Sequence, residues 1–122
     1  MGKITFISLL IALTAATVAG CGPGSRITAE DLNDFAIRCS KYEMWAEAEF
    51  RLRNALSIQA DDARLHNNLA VALEAQSKLD DAYAEYKRAV TLDPGNEKFR
   101  RNLDEFVHDH RWEMESGSES EE

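Results

Sequence analysis

Two kinds of apolar pattern divide the chain. From Ile4 to Gly20, 17 uncharged residues follow one another, rich in Ile, Leu, Val and Ala. After residue 27 the apolar residues are spaced instead. Leu32, Phe35, Ala36 and Cys39 step by 3, 1 and 3, and Trp45, Ala48, Leu52, Ala55 and Leu56 by 3, 4, 3 and 1. Leu65, Leu69 and Leu73 recur every fourth residue, and Leu79, Ala82, Tyr83, Tyr86, Ala89 and Val90 step by 3, 1, 3, 3 and 1. Phe99, Leu103, Phe106 and Val107 step by 4, 3 and 1. Each set falls on one stripe of an α-helix, and strand-like alternation is absent over any comparable length. The spacing therefore predicts an all-α fold. Thr28, with Asp31 three residues on, predicts the start of the first helix. Asp93-Pro94 predicts a stop, because Pro disfavours the helical conformation of the residue before it, and Gly95-Asn96 completes the turn.

A shift of 34 residues superimposes the stripes. Phe35 falls on Leu69, Ala36 on Ala70, Cys39 on Leu73, Ala48 on Ala82, Leu52 on Tyr86 and Ala55 on Ala89. A fixed period of this kind predicts a repeat architecture, with Ala where the two helices of a hairpin approach closely. Residues 63–96, with His66, Leu69-Ala70, Leu73, Ala82, Tyr86, Ala89 and Pro94, resemble the tetratricopeptide repeat. Residues 28–62 resemble it too, except that Ala60 replaces the closing Pro. The expected architecture is two helix-turn-helix repeats, 28–62 and 63–96, and a capping helix, 97–112. Asp104 stands at the small position of this third, unfinished copy and could not receive a following helix, so its outer face is expected to be wet. Residues 113–122 hold acids and no apolar stripe, and are expected to form a disordered tail.

The N-terminal run resembles a secretory signal peptide over residues 1–20: a positive start, an apolar stretch and small residues at its end. Val18-Ala19-Gly20-Cys21 resembles the lipobox of bacterial lipoproteins. The resemblance implies cleavage before Cys21, acylation of its thiol and new amine, and a short spacer to residue 27. Only a thiolate is a good acceptor for the diacylglycerol, and each buried methylene adds ~0.8 kcal/mol of membrane affinity. Gly22 is not the Asp that resembles an inner-membrane retention signal, so the resemblance implies an outer-membrane anchor facing the periplasm.

Composition narrows the function classes. Of 122 residues, 14 are Lys or Arg and 22 are Asp or Glu, a net charge of −8. Without residues 1–20 the chain keeps 13 basic and 22 acidic residues, a net charge of −9. That balance argues against nucleic acid, whose phosphates need clustered Lys and Arg. Two Cys cannot build a four-Cys zinc site. With Cys21 acylated, Cys39 is left without an intramolecular partner, on an apolar stripe where a buried structural thiol is expected. His108 and His110 lie two apart on a helix and point to different faces, so no metal site is expected of them and they are expected on the surface. No G-x-S-x-G, H-E-x-x-H or phosphate-cradling Gly loop occurs, so no catalytic residue and no cofactor are assigned and the protein is expected not to be an enzyme.

Binding is the remaining class. In the tetratricopeptide family the first helix of each repeat lines a groove. The resemblance implies Glu30, Asn33, Ile37 and Lys41 from the first repeat, Arg64, Asn67, Val71 and Glu74 from the second, and Lys98, Arg101 and Glu105 from the capping helix. Arg64, Lys98 and Arg101 would form a basic spot on an acidic chain, and Asn67 would bond a partner's backbone. The chaperone-binding clamp is incomplete: Asn68 and Lys98 match it, whereas Ile37 and Asn102 do not. The implied function is a lipid-anchored periplasmic adaptor in envelope, pilus or secretion-system assembly, like the pilotins, with a protein or peptide partner and contact with the membrane through Cys21. The alternative is an obligate structural subunit of an outer-membrane complex, docked through an open edge around Leu32 and Trp45, with self-association left open.

Overall fold

A computed structural model describes residues 26–117, the last six as backbone only. Residues 1–25, which include the expected signal peptide and Cys21, and residues 118–122 lie outside the described residues. These hold five helices and no strand: α1 (Ala29–Lys41), α2 (Trp45–Ile58), α3 (Ala63–Glu74), α4 (Leu79–Leu92) and α5 (Glu97–Gly117). Helices α1 and α2 form one hairpin and α3 and α4 a second; α3 packs on α2, and α5 packs on α4 as the cap. The fold is all-α and built from tetratricopeptide-like repeats. None of the described helices is long and apolar enough to cross a membrane.

The 34-residue period extends to single hydrogen bonds. Thr28, Asp62 and Asn96 occupy equivalent positions and cap α1, α3 and α5. The Thr28 hydroxyl accepts from the Asp31 amide while Asp31 accepts from the Thr28 amide, a reciprocal capping box. Asp62 accepts from the Arg64 amide and Asn96 from the Lys98 amide. Each side chain satisfies a helix-start donor that would otherwise lack a partner. The hairpin turns match as well. Glu43 (φ 57°) and Ser77 (φ 58°), again 34 apart, both adopt left-handed backbone. The next amides, of Met44 and Lys78, return to the carbonyls of Cys39 and Leu73, each at 3.0 Å.

The core runs along the stack as the stripes predict. Ala48, Ala55, Leu69, Ala70, Leu73, Ala82 and Ala89 are inaccessible to solvent, and Cys39 is buried among them. Burying a leucine side chain contributes ~1.5–3 kcal/mol. The alanines let the paired helices approach, so a larger residue there would force the backbones apart.

Three expectations fail at the ends of the stack. Phe35, placed in the core by its stripe, is 39% exposed, whereas its counterpart Leu69 is fully buried. The face that α3 presents to α2 carries Leu65, Leu69 and Ala72, and α5 uses the equivalent Phe99, Leu103 and Phe106. In α1 the equivalent positions hold Asp31, Phe35 and Arg38, and no helix precedes α1 among the described residues to cover them. The open edge is therefore not made by Leu32 and Trp45: Leu32 is buried at 9% and Trp45 packs against the core. At the other end α5 runs to Gly117, five residues past the predicted boundary of the capping helix. Its extension reads Glu-Met-Glu-Ser-Gly, where Glu and Met have good intrinsic helix propensity, so a helix already nucleated by packing continues without an apolar stripe. Asp104 is exposed, as expected of an outer face.

Candidate functional site: a face shared by the first helices

Helices α1, α3 and α5 carry every groove residue that the repeat resemblance implies, and the structure sorts them into three groups. The first group is engaged between repeats. Asn33 and Asn67 are 4% and 2% exposed. The Asn33 Oδ1 accepts from Asn68 Nδ2 at 2.9 Å, and Asn67 Oδ1 accepts from Asn102 Nδ2 at 2.8 Å. The same bond thus joins α1 to α3 and α3 to α5. Asn67 is therefore not available to a partner's backbone: its carbonyl is taken, and unpairing it would leave a buried polar group unsatisfied. Asn68, which matches a clamp position, and Asn102, which replaces the residue expected at another, are the donors of these inter-repeat bonds.

The second group is engaged in ion pairs and hydrogen bonds. Arg64 reaches Glu30 at 3.0 Å and Asp62 at 2.8 Å. These bonds raise the Arg64 pKa, Asp62 first and Glu30 second, and the Arg64 guanidinium holds the Asp62 carboxyl below the usual range. Arg64 is thereby neutralised locally and leaves the expected basic spot. Glu74 accepts from the Tyr86 hydroxyl at 2.7 Å and pairs with His110 Nε2 at 3.1 Å, which ties α3 to α4 and α5. Burial, then Glu74, pushes the Tyr86 phenol up, so it stays a donor. His110 packs at a tilt against Phe106, 4.8 Å between ring centres, and so is not the bare surface residue expected. His108 is exposed beside Asp109. Among the described residues no cluster of three metal-ligating side chains occurs.

The third group faces solvent. Lys41, Lys98, Arg101 and Glu105 are exposed and form no ion pair with a described residue. Ile37 is 41% exposed and Val71 37%. They are equivalent residues of adjacent repeats and line one cleft of about 150 Å³ with Ala36, Ser40, Leu52 and Asn68. The polar groups of its wall are already committed: the Ser40 hydroxyl donates to the Ala36 carbonyl, and Asn68 donates to Asn33. What the cleft offers is an apolar surface over Leu52. An apolar space of ~150 Å³ accepts a benzene-sized group, enough for one aliphatic or aromatic side chain.

The sequence pattern missed the commitment of the asparagines and of Arg64. A signal existed for both: Asn33, Asn67 and Asn68, Asn102 each recur at 34 residues, as Glu30 and Arg64 do with opposite charge. A polar residue repeated at a fixed position can serve the joint between repeats as readily as a ligand. No protein-family model matches the chain, and the curated proteins contain no significant match to it.

Proposed function

We propose that this chain is a lipid-anchored adaptor of the bacterial envelope, facing the periplasm, with no catalysis of its own. It holds a segment of a partner protein against α1 and α3. The observation that carries this reading is the cleft between Ile37 and Val71. Two equivalent aliphatic residues stay exposed side by side while the neighbouring polar groups are satisfied internally. Such a site recognises one apolar side chain and leaves polar contacts to its surroundings, where Lys98 and Arg101 favour a partner with an acidic group. Arg64 is not part of that attraction, because Glu30 and Asp62 hold it.

The test places a photo-crosslinking residue at Val71 in cells and identifies what it captures. Ile37→Glu with Val71→Glu should abolish capture from a crosslinker moved to Lys98, with helicity unchanged because both residues already face solvent. Ala84→Glu, on an exposed part of α4, is the control and should leave capture intact. Equal loss from both variants would mean that added negative charge alone repels the partner and would sink the cleft. Charge reversal at Lys87 or Arg88 would be a poorer control, because Lys87 lies over the Tyr83 ring and Arg88 pairs with Asp61. The anchor is tested separately. Cys21→Ser should leave uncleaved precursor and abolish labelling by palmitate.

A further inference from the structure

Large apolar side chains that stay exposed are unevenly distributed. Ile37 and Val71 belong to the cleft. The other six with described exposure are Ile27, Phe35, Tyr42, Met44, Phe50 and Ile58, and all lie in or beside the first hairpin. The repeat itself does not require them. At the equivalent places the second hairpin has Asp61, Leu69, Gln76, Lys78, Ala84 and Leu92, of which the two large apolar residues, Leu69 and Leu92, are buried and half-buried. Exposure reaches 78% at Tyr42, 64% at Ile27 and 54% at Phe50. A monomeric surface rarely gathers apolar groups in this way without something to cover them.

The cations of this edge sit among the aromatic rings. The Arg51 guanidinium lies 4.8 Å from the Phe35 ring centre and 5.4 Å from that of Phe50, and Arg38 lies 5.5 Å from Phe35. Of the acids near them, Glu47 pairs with Arg51 at 2.7 Å and Asp31 closes the α1 capping box, while Asp34 and Glu43 are exposed and form no ion pair with a described residue. Arg38 has no ion-pair partner among the described residues. An unpaired arginine beside exposed aromatic rings suits a lipid headgroup layer, where a phosphate meets the Arg38 guanidinium and the rings reach the upper acyl chains.

Chain length brings this edge to such a layer. Five residues separate Cys21 from Ile27, which is six steps along the chain. At 3.3–3.6 Å per residue these steps span at most about 22 Å. We infer that the first hairpin is a membrane-contact surface: with the chain tethered at Cys21, its open edge lies on the phospholipid headgroups and directs the second hairpin and α5 away from the bilayer. This rests on the lipid-anchor reading and adds an orientation to it. It also keeps the cleft on a different side from the lipid contact, because Ile37 and Val71 lie on the face shared by α1 and α3.

The test uses the full chain, expressed in a bacterial host and purified from membranes. A single Cys carries an environment-sensitive dye at Phe50 (Phe50→Cys) or at Tyr42 (Tyr42→Cys). Ala84→Cys, the counterpart of Phe50 in the second hairpin, is the control. Cys39 is buried and stays unlabelled. The chains are placed in phosphatidylethanolamine vesicles with phosphatidylglycerol, with spin-labelled lipid as quencher. Dye emission at residues 42 and 50 should rise by about twofold or more and be quenched, with residue 84 unchanged. Equal response at 50 and 84 would overturn the orientation. So would a rise at 50 that grows with protein concentration without vesicles, because a second copy would then cover the edge. Intact mass reports acylation of Cys21 independently. If Cys21 proves unacylated, the lipid-anchor reading fails. The dye contrast on added vesicles, measured in a Cys21→Ser background, then decides the surface alone, and an unchanged residue 50 overturns it.

Discussion

At the joint between the two hairpins stands Glu49, and at the equivalent joint between the second hairpin and the cap stands Tyr83. Glu49 gathers Lys78 at 2.7 Å, Gln76 at 2.9 Å and Arg53 at 2.9 Å, a polar clamp between α2 and the turn after α3. Tyr83 instead stacks on Phe106, 6.2 Å between centres at 16°, beside Tyr86 and His110. The backbones of the two hairpins agree down to their caps and left-handed turn residues. Beyond the repeated Asn–Asn bonds, their side chains do not agree about what holds each hairpin to the next. A repeat can thus keep one scaffold and vary its joints, because the scaffold hydrogen bonds are local and the joint is made of whatever side chains face outward.

The comparison breaks most sharply at Phe35 and Leu69. Leu69→Ala removes a fully buried side chain and should destabilise by about 2–5 kcal/mol in chemical denaturation. Phe35→Ala, at the equivalent open position, should cost about 1 kcal/mol or less, since its ring already faces solvent and arginine. Equal costs would mean that the edge of α1 is covered in solution.

Acid should separate the joints next. Burial opposes the charge of Glu49, but the bonds from Lys78, Arg53 and Gln76 outweigh it and bring its pKa down to about 2. A carboxylate lowered on folding stabilises above its unfolded pKa, ordinarily 4.5, and that contribution is lost as pH falls toward 2. Glu49→Gln should therefore lower Tm at pH 7, by an amount corresponding to about 1–2 kcal/mol, and the difference from the unaltered chain should shrink as pH falls from 4.5 toward 2. A difference that persists at pH 2 would assign the loss to packing. Tyr83→Phe keeps the ring stack and should leave the acid profile unchanged.

The smallest effect tests the similarity of the hairpins. Glu43 and Ser77 both hold a backbone that costs an L-residue ~1–2 kcal/mol, partly recovered by Gly, which loses more entropy on folding. Glu43→Gly and Ser77→Gly should each stabilise by about 0.5–1 kcal/mol, read as small and similar increases in Tm. A gain at one and a loss at the other would show that the turns are held differently.

Much of this fold is legible in the sequence because the alanines and leucines recur at one spacing, and small residues opposite large ones define a hairpin without reference to anything distant. The period also makes the caps readable, since Thr28, Asp62 and Asn96 are all residues that accept from a helix start. The site was less legible. A stripe states that Phe35 points off the same face as Leu69, but not that α1 lacks a neighbour there, which depends on its place in the stack. The asparagines read as ligands because an amide serves a peptide or a facing amide equally well. Only the distance between α1, α3 and α5 decides for the second.

The individual character of the joints bears on fidelity of assembly. A chain whose caps, turns and Asn–Asn bonds repeat every 34 residues could dock its elements one place out of order and still satisfy those bonds. At one repeat position α1 carries Arg38, α3 carries Ala72 and α5 carries Phe106, the last two buried and the first exposed. A slip that seats α1 against another hairpin buries the Arg38 charge, and one that seats α3 against Tyr83 leaves a void where Phe106 belongs. Each wrong order is penalised by a different mechanism, desolvation in one case and a cavity in the other. The departures from perfect repetition therefore act as an address code that fixes the order of identical parts.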